Sequence, residues 1–234
     1  MKRSFDRELQ GLKHAILQMG ELVEKAIEEA LDGLKQRDGK HFDRVYNLEK
    51  IINGMHMSID ESCVRALALH SPVAADLRLV VSIIKINTDL ERMGDQAVNI
   101  SHNASRYIAE PPLKPLVDLP VMATEVRIMV RESLDAFLKP DLALARTVLG
   151  RDDTVDELKN KIFDEVVDSY MMVDPTSVHR GLDLILIARN LERIGDHATN
   201  IAEDAIYVAS GEDVRHGKRT QPPASAVSKT DRHN

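Results

Sequence analysis

Residues 89–100, DLERMGDQAVNI, return at 190–201 as NLERIGDHATNI, at an offset of 101 residues and with eight of twelve positions identical. Upstream the pairing continues at an offset of 103, where Ile59 meets Ile162, Val64 meets Val167 and Pro72 meets Pro175. A period of this length in a 234-residue chain calls for two copies of one supersecondary unit. Whatever one copy folds into, the other must fold into as well.

The pattern inside each copy is helical. Leu9, Leu12, Ile16, Met19, Val23, Ile27, Ala30 and Leu34 recur at three- and four-residue spacing and predict a helix over about 4–36. Arg37-Asp38-Gly39 breaks it, and Phe42, Val45, Leu48, Ile52, Met55, Ile59, Val64 and Leu67 predict a second to about Leu69. Ser71-Pro72 is expected to open the third, with the proline in its first turn, where a missing N–H costs nothing. That helix carries Leu77, Val80, Ile83, Ile86, Leu90, Ala97 and Ile100 and stops before Pro111-Pro112. The stretch Pro111 to Pro120 reads as a linker, followed by helices over about 119–138, 141–172 and 175–210. The expectation is an all-α fold of two homologous three-helix bundles, 1–112 and 113–210. Residues 211–234 are polar and non-periodic and are expected to form a disordered tail.

Composition agrees. Hydrophobic residues make up 43% of the chain, enough for a sizeable core, yet aromatics are only 3% and Trp is absent, so aliphatic side chains must fill the helix grooves. A net charge of -7 without a dense Lys/Arg run argues against nucleic acid. Lys85 and Arg189 interrupt the longest apolar runs well short of the ~20 residues that span a bilayer. The charged segment Met1–Arg7 lacks the apolar core of a signal peptide, and the single cysteine, Cys63, excludes an internal disulfide; a cytoplasmic protein with a reduced, buried thiol is expected.

The repeated segment carries the chemistry. Glu91 and Asp95, and likewise Glu192 and Asp196, are four residues apart, which stacks two carboxylates on one helix face at a cost of a few tenths of a kcal/mol. Gly94 and Gly195 sit in the same turns, each costing roughly 0.5–1 kcal/mol against Ala. Two penalties at matching places ask for a compensating interaction. The preceding helix offers Glu49 and Asn53 in one copy and Asp152 and Asp156 in the other, so packing of second on third helix is expected to gather four oxygen-bearing side chains per copy. The acids lie about one residue step, ~100°, from the core stripe and flank it. Such donors suit Mg²⁺, Ca²⁺, Mn²⁺ or iron. The plain alternative is a solvated face in which Arg92 pairs with Asp95 and Arg193 with Asp196. A ferritin-type di-iron oxidase is disfavoured, because it wants His three residues after the Glu, where Gly94 and Gly195 stand. His102 and His197 near the acid stripe read as exposed helix positions, and no catalytic triad, phosphate loop or zinc-ligand spacing is present, so no enzyme is expected.

IDESCVR (59–65), DLRLVVSIIK (76–85) and the two ERxGD elements resemble recurrent segments of the PhoU family of phosphate-uptake regulators over roughly residues 5–210. The resemblance implies a homodimer of paired bundles that restrains the phosphate-starvation response, with the ATPase subunit of a phosphate ABC transporter and a phosphate-sensing histidine kinase as partners. It also implies divalent or trivalent metal ions, iron, manganese, magnesium or zinc, held by the family's E(D)-x-x-x-D motifs. These map onto Glu91 with Asp95, Asp152 with Asp156 and Glu192 with Asp196; Glu49 with Asn53 departs from the pattern. An amide oxygen ligates without charge, so the first cluster is expected to bind more weakly than the second. A metal-buffering bundle without a regulatory role, or a partner-binding domain without metal, are the competing readings.

Overall fold

The computed structural model describes residues 2–214, with side chains from Phe5 onward, and is helical throughout: α1 (Lys2–Gln36), α2 (Lys40–His70), α3 (Ala74–Ile108), α4 (Asp118–Leu138), α5 (Leu142–Val166) and α6 (Val178–Ser210). Residues 215–234 of the expected tail lie outside the described part of the chain.

The helices bury most of the stripe their periodicity marks; the exceptions are Val64 and Leu77, which are exposed, with Cys63 taking the core position next to Val64. On α1, Ile16, Met19, Val23 and Ile27 are fully buried, and at an offset of 103 their counterparts on α4 are Leu119, Met122, Val126 and Val130, buried as well. The duplication therefore includes the first helix of each unit, where fewer positions are identical, among them Met19 with Met122, Val23 with Val126 and Glu29 with Glu132, but the apolar period is kept.

Local chemistry sets most of the boundaries. Between α1 and α2, Asp38 accepts a hydrogen bond from the Lys40 N–H at 3.0 Å. Asp141 caps α5 by accepting from the N–H groups of Ala143 and Leu144. The fifth helix ends in a π-helical turn, Val167–Met171, and Pro175–Ser177 form a single 3₁₀ turn ahead of α6, which stops at left-handed Gly211 (φ 77°).

Two boundary expectations fail. Pro72 does not open α3: Ser71 turns left-handed (φ 44°), its N–H closing α2 on the Leu67 carbonyl, and Val73 is extended, so the helix starts at Ala74. A residue preceding proline is pushed out of the α region, and here the excursion takes the proline with it. The linker is also shorter than Pro111 to Pro120, because α4 begins at Asp118 and Pro120 sits in its first turn.

The three helices of each repeat pack on one another, and α3 and α6 form the most extensive helix pair of all. These two run antiparallel: Arg106 meets Asp183 at 2.6 Å, His197 meets Asp89 at 2.8 Å, and Lys85 meets Asp204 at 3.3 Å. A second seam joins α1 to α4, where Arg131 binds Glu24 at 2.5 Å. The buried hydrophobic side chains of both repeats form one continuous core.

Candidate functional site

In each repeat the second and third helices lie antiparallel, α2 on α3 and α5 on α6, and a glycine sets how closely they approach. A Cβ on Gly94 would stand 3.3 Å from both Cδ1 and Cγ2 of Ile52; one on Gly195 would stand 3.6 Å from Cγ1 of Val155, the residue equivalent to Ile52. The glycines' helical penalty is thus compensated by packing on the neighbouring helix.

Beside this contact lie the predicted ligands, half-buried or exposed as their register requires: Glu49, Asn53, Glu91 and Asp95 along one groove, Asp152, Asp156, Glu192 and Asp196 along the other. In the second groove the acids feel one another. Burial first, then the charges of Asp196 and Asp156, push the Asp152 carboxyl above its ordinary value. Asp196 rises for the same reasons, burial followed by Glu192 and Asp156, with His197 and Lys159 opposing.

The paired-arginine alternative is met in a different way. Among the described residues the ion pair on this face comes from Lys159, whose Nζ donates to Asp156 Oδ1 at 2.7 Å and Glu192 Oε1 at 3.0 Å, tying α5 to α6. Those hydrogen bonds, led by Asp156, raise the lysine's pKa further. Lys159 was not singled out in the sequence; its place three residues after Asp156 was the available signal.

In the first groove Asn53 donates Nδ2 to Glu49 Oε1 at 2.5 Å, and its Oδ1 is buried without a hydrogen-bond partner. An orphaned carbonyl oxygen beside carboxylates is a fitting ligand for a hard cation, and the crowded acids of the second groove fit one too. As they stand, among the described residues, no three Asp, Glu, His or Cys side chains are gathered tightly enough to hold an ion.

The remaining sequence candidates divide. Cys63 is fully buried, and burial with Asp60 beyond it pushes the thiol up to about 12, so it has no thiolate chemistry near neutral pH. His102 is exposed as expected, 3.4 Å from the Tyr46 hydroxyl. His197 is not exposed: its side chain is only 15% accessible and it bridges the repeats to Asp89, which also accepts from Asn200 Nδ2 at 3.2 Å. No helix among the described residues is long and apolar enough to cross a membrane.

Comparison with known proteins gives a consistent result. The PhoU domain matches twice, over residues 16–104 and 119–205. The phosphate-specific transport system accessory protein PhoU homolog of Pseudomonas putida is 42% identical over 92% of this chain and 84% of its own length. The homolog of the same name in Aquifex aeolicus is 40% identical over 90% and 95%. Among solved structures, PhoU from Pseudomonas aeruginosa superposes with a TM-score of 0.85 at 41% identity, covering 89% of this chain and all of that one. The phosphate transport system regulatory protein PhoU from Streptococcus pneumoniae gives 0.80 at 30% identity, covering 90% and 99%. With a family domain matched in both halves and relatives of this identity along almost its whole length, the chain belongs to the PhoU domain family.

Proposed function

We propose that this protein is a cytoplasmic, non-catalytic accessory regulator of phosphate-specific transport. It restrains phosphate uptake and the phosphate-starvation response when phosphate is plentiful. The reading is carried by the tandem PhoU domain match and by relatives of up to 42% identity bearing that accessory name. In the proposed mechanism a homodimer of paired bundles bridges the ATPase subunit of a phosphate ABC transporter and a sensor histidine kinase, holding the kinase in its non-activating state. Information passes through contacts, which suits a frame whose two repeats share one core and are pinned by cross-repeat ion pairs.

Metal ions enter as structural ligands. Glu49, Asn53, Glu91 and Asp95 would hold them in one groove and Asp152, Asp156, Glu192 and Asp196 in the other. A bound cation would neutralise clustered carboxylates and stiffen the helix pair presented to partners. A metal-buffering role is less well supported, because the Lys159 ammonium already occupies two of the four second-groove acids.

The deciding experiment is alkaline phosphatase output in phosphate-rich medium from cells lacking the protein, complemented with wild type or with the D152N/D156N/E192Q/D196N variant. High output on deletion, silenced by wild type, supports the regulatory reading, and the variant reports whether the acids are required. Output that stays low on deletion overturns that reading.

A further inference from the structure

The first groove continues beyond the acid motif to His56 and Asp60 on α2 and Asn87 on α3. At equivalent positions the second groove has Lys159, Phe163 and Ala188, so this polar triplet exists in one repeat alone. Its members hold one another in fixed orientations. Asn87 is fully buried, and its Nδ2 donates to the His56 carbonyl at 2.9 Å and to Asp60 Oδ1 at 3.0 Å. The His56 ring places Nδ1 3.3 Å from the Asn87 carbonyl oxygen. A carbonyl oxygen only accepts, so Nδ1 is the N–H in the neutral ring and Nε2 carries the lone pair.

That lone pair faces Asp60 Oδ2 at 3.7 Å. Two acceptors at this distance make no hydrogen bond, but two tetrahedral ligands each about 2.1 Å from one ion stand about 3.4 Å apart, within a small side-chain adjustment of the separation here. The imidazole oriented by a carbonyl and the carboxylate oriented by an amide form the outer support that metal ligands ordinarily have. On the same Asn87 amide, Oδ1 is buried and has no hydrogen-bond partner.

We propose that His56 and Asp60 form a site for a borderline divalent cation of the Zn²⁺ class, separate from the E(D)-x-x-x-D acids. Asn87 is its positioning residue, and water completes the coordination. An imidazole nitrogen selects Zn²⁺ or Mn²⁺ over Mg²⁺ and Ca²⁺, which the acid pairs favour. The second repeat fills the equivalent place with a cation of its own, the Lys159 ammonium bound to Asp156 and Glu192.

Zn²⁺ titrated calorimetrically into the metal-free full-length chain is expected to show one equivalent more than in H56K or in D60N. The first of these copies the lysine of the second repeat and is expected to stay folded. N87A is expected to keep the equivalent with affinity reduced 10–100-fold. In ¹⁵N-labelled protein Zn²⁺ is expected to shift the His56 Nε2 resonance far more than Nδ1, a readout that a mere His–Asp ion pair would not give. The proposal is overturned if the H56K isotherm matches wild type, or if Zn²⁺ leaves the His56 ring resonances in place. The resonance measurement needs no variant, so it stands even where D60N or N87A does not fold.

Discussion

The two grooves occupy equivalent places and reach a similar electrostatic balance by different means. The second has four carboxylates, Asp152, Asp156, Glu192 and Asp196, and one ammonium, Lys159, bonded to two of them. The first has three carboxylates, Glu49, Glu91 and Asp95, with Asn53 in place of the fourth acid and His56 in place of the lysine. Leaving aside His56 and Asp60, which form the separate site proposed above, the motif acids with Lys159 give each groove a net charge of -3. Counting acids alone makes the second the stronger cation site; counting the lysine removes the difference. A duplicated site is compared properly only when the cations the chain itself supplies are included.

Packing under the grooves differs in the opposite sense. Ile52 presses on Gly94 at a distance that a real Cβ rarely tolerates, whereas Val155 leaves Gly195 at ordinary van der Waals separation. G94A is therefore expected to cost about 1–3 kcal/mol through overpacking. G195A is expected to gain roughly 0.5–1 kcal/mol from helix propensity, because nothing need move. Thermal unfolding of the two variants reads the contrast directly. Shifts of the same sign would mean that the helix pairs are spaced alike and that the difference between Ile52 and Val155 is absorbed by side-chain motion.

How much of this was legible in the sequence follows from the range of each interaction. The repeat, the six helices and the acid register depend on spacings of three or four residues, and the chain displays them openly. Pro72 misled because two left-handed residues, Ser71 and Ala74, bracket that boundary, and such residues leave no periodic trace. The glycines were marked as costly, but their compensation by Ile52 and Val155 comes from residues about 40 positions away. His197 looked like a surface position because its partner, Asp89, lies 108 residues upstream in the other repeat. Lys159 is the instructive omission: a search for metal ligands looks for acids and passes over the amine that competes with them.

A second contrast lies at Glu29 and its counterpart Glu132, 103 residues on. Glu132 takes the guanidinium fork of Arg151, while Glu29 accepts from His41 at 2.7 Å and Arg44 at 2.9 Å. Burial opposes ionisation of Glu29, but the His41 and Arg44 hydrogen bonds outweigh it and hold the carboxyl below its usual range. A depressed folded-state pKa contributes stability above the unfolded value of about 4.3, and that contribution is lost as pH falls through the folded value. E29Q is thus expected to be less stable than wild type by about 1 kcal/mol at pH 7, a modest figure because Arg44 is half exposed. The gap should close at acid pH, as pH falls through the depressed folded-state value and the wild-type carboxyl is protonated as well. Urea unfolding at neutral and acid pH checks this, and a gap that stays constant would assign the loss to packing.

Charge balance between the grooves can be broken at Lys159. K159M keeps the apolar stem and removes the ammonium, leaving four acids against the first groove's three. In a metal-free buffer it is expected to cost about 0.5 kcal/mol, the scale of a partly exposed ion pair. Added Mn²⁺ should then raise its melting temperature more than that of wild type, since ligand binding stabilises the state that binds. An identical Mn²⁺ response in the two proteins would show that Lys159 does not compete for the site.

The smallest expected effect separates the grooves most cleanly, because it predicts opposite signs at equivalent residues. Asp152 is pushed up by burial and by Asp196 and Asp156, so the folded state holds its proton more tightly than the unfolded chain does. Folding is then favoured as pH falls and disfavoured as it rises through the unfolded value of about 3.9, and at pH 7 the ionised carboxylate is a liability. D152N should raise stability by a few tenths of a kcal/mol at pH 7, the scale of one like-charge helix pair, with the gain shrinking toward pH 4. Glu49 occupies the same position in the first groove, but its neighbour Asn53 donates to it at 2.5 Å. E49Q weakens a hydrogen bond to a charged acceptor and relieves no repulsion from Asn53, so it is expected to lower stability by a similar amount. Differential scanning calorimetry of the two variants at pH 7 decides the matter: a gain for D152N beside a loss for E49Q means that repulsion governs one groove and hydrogen bonding the other, and a loss in both would show that the second groove's acids are compensated as fully as the first's.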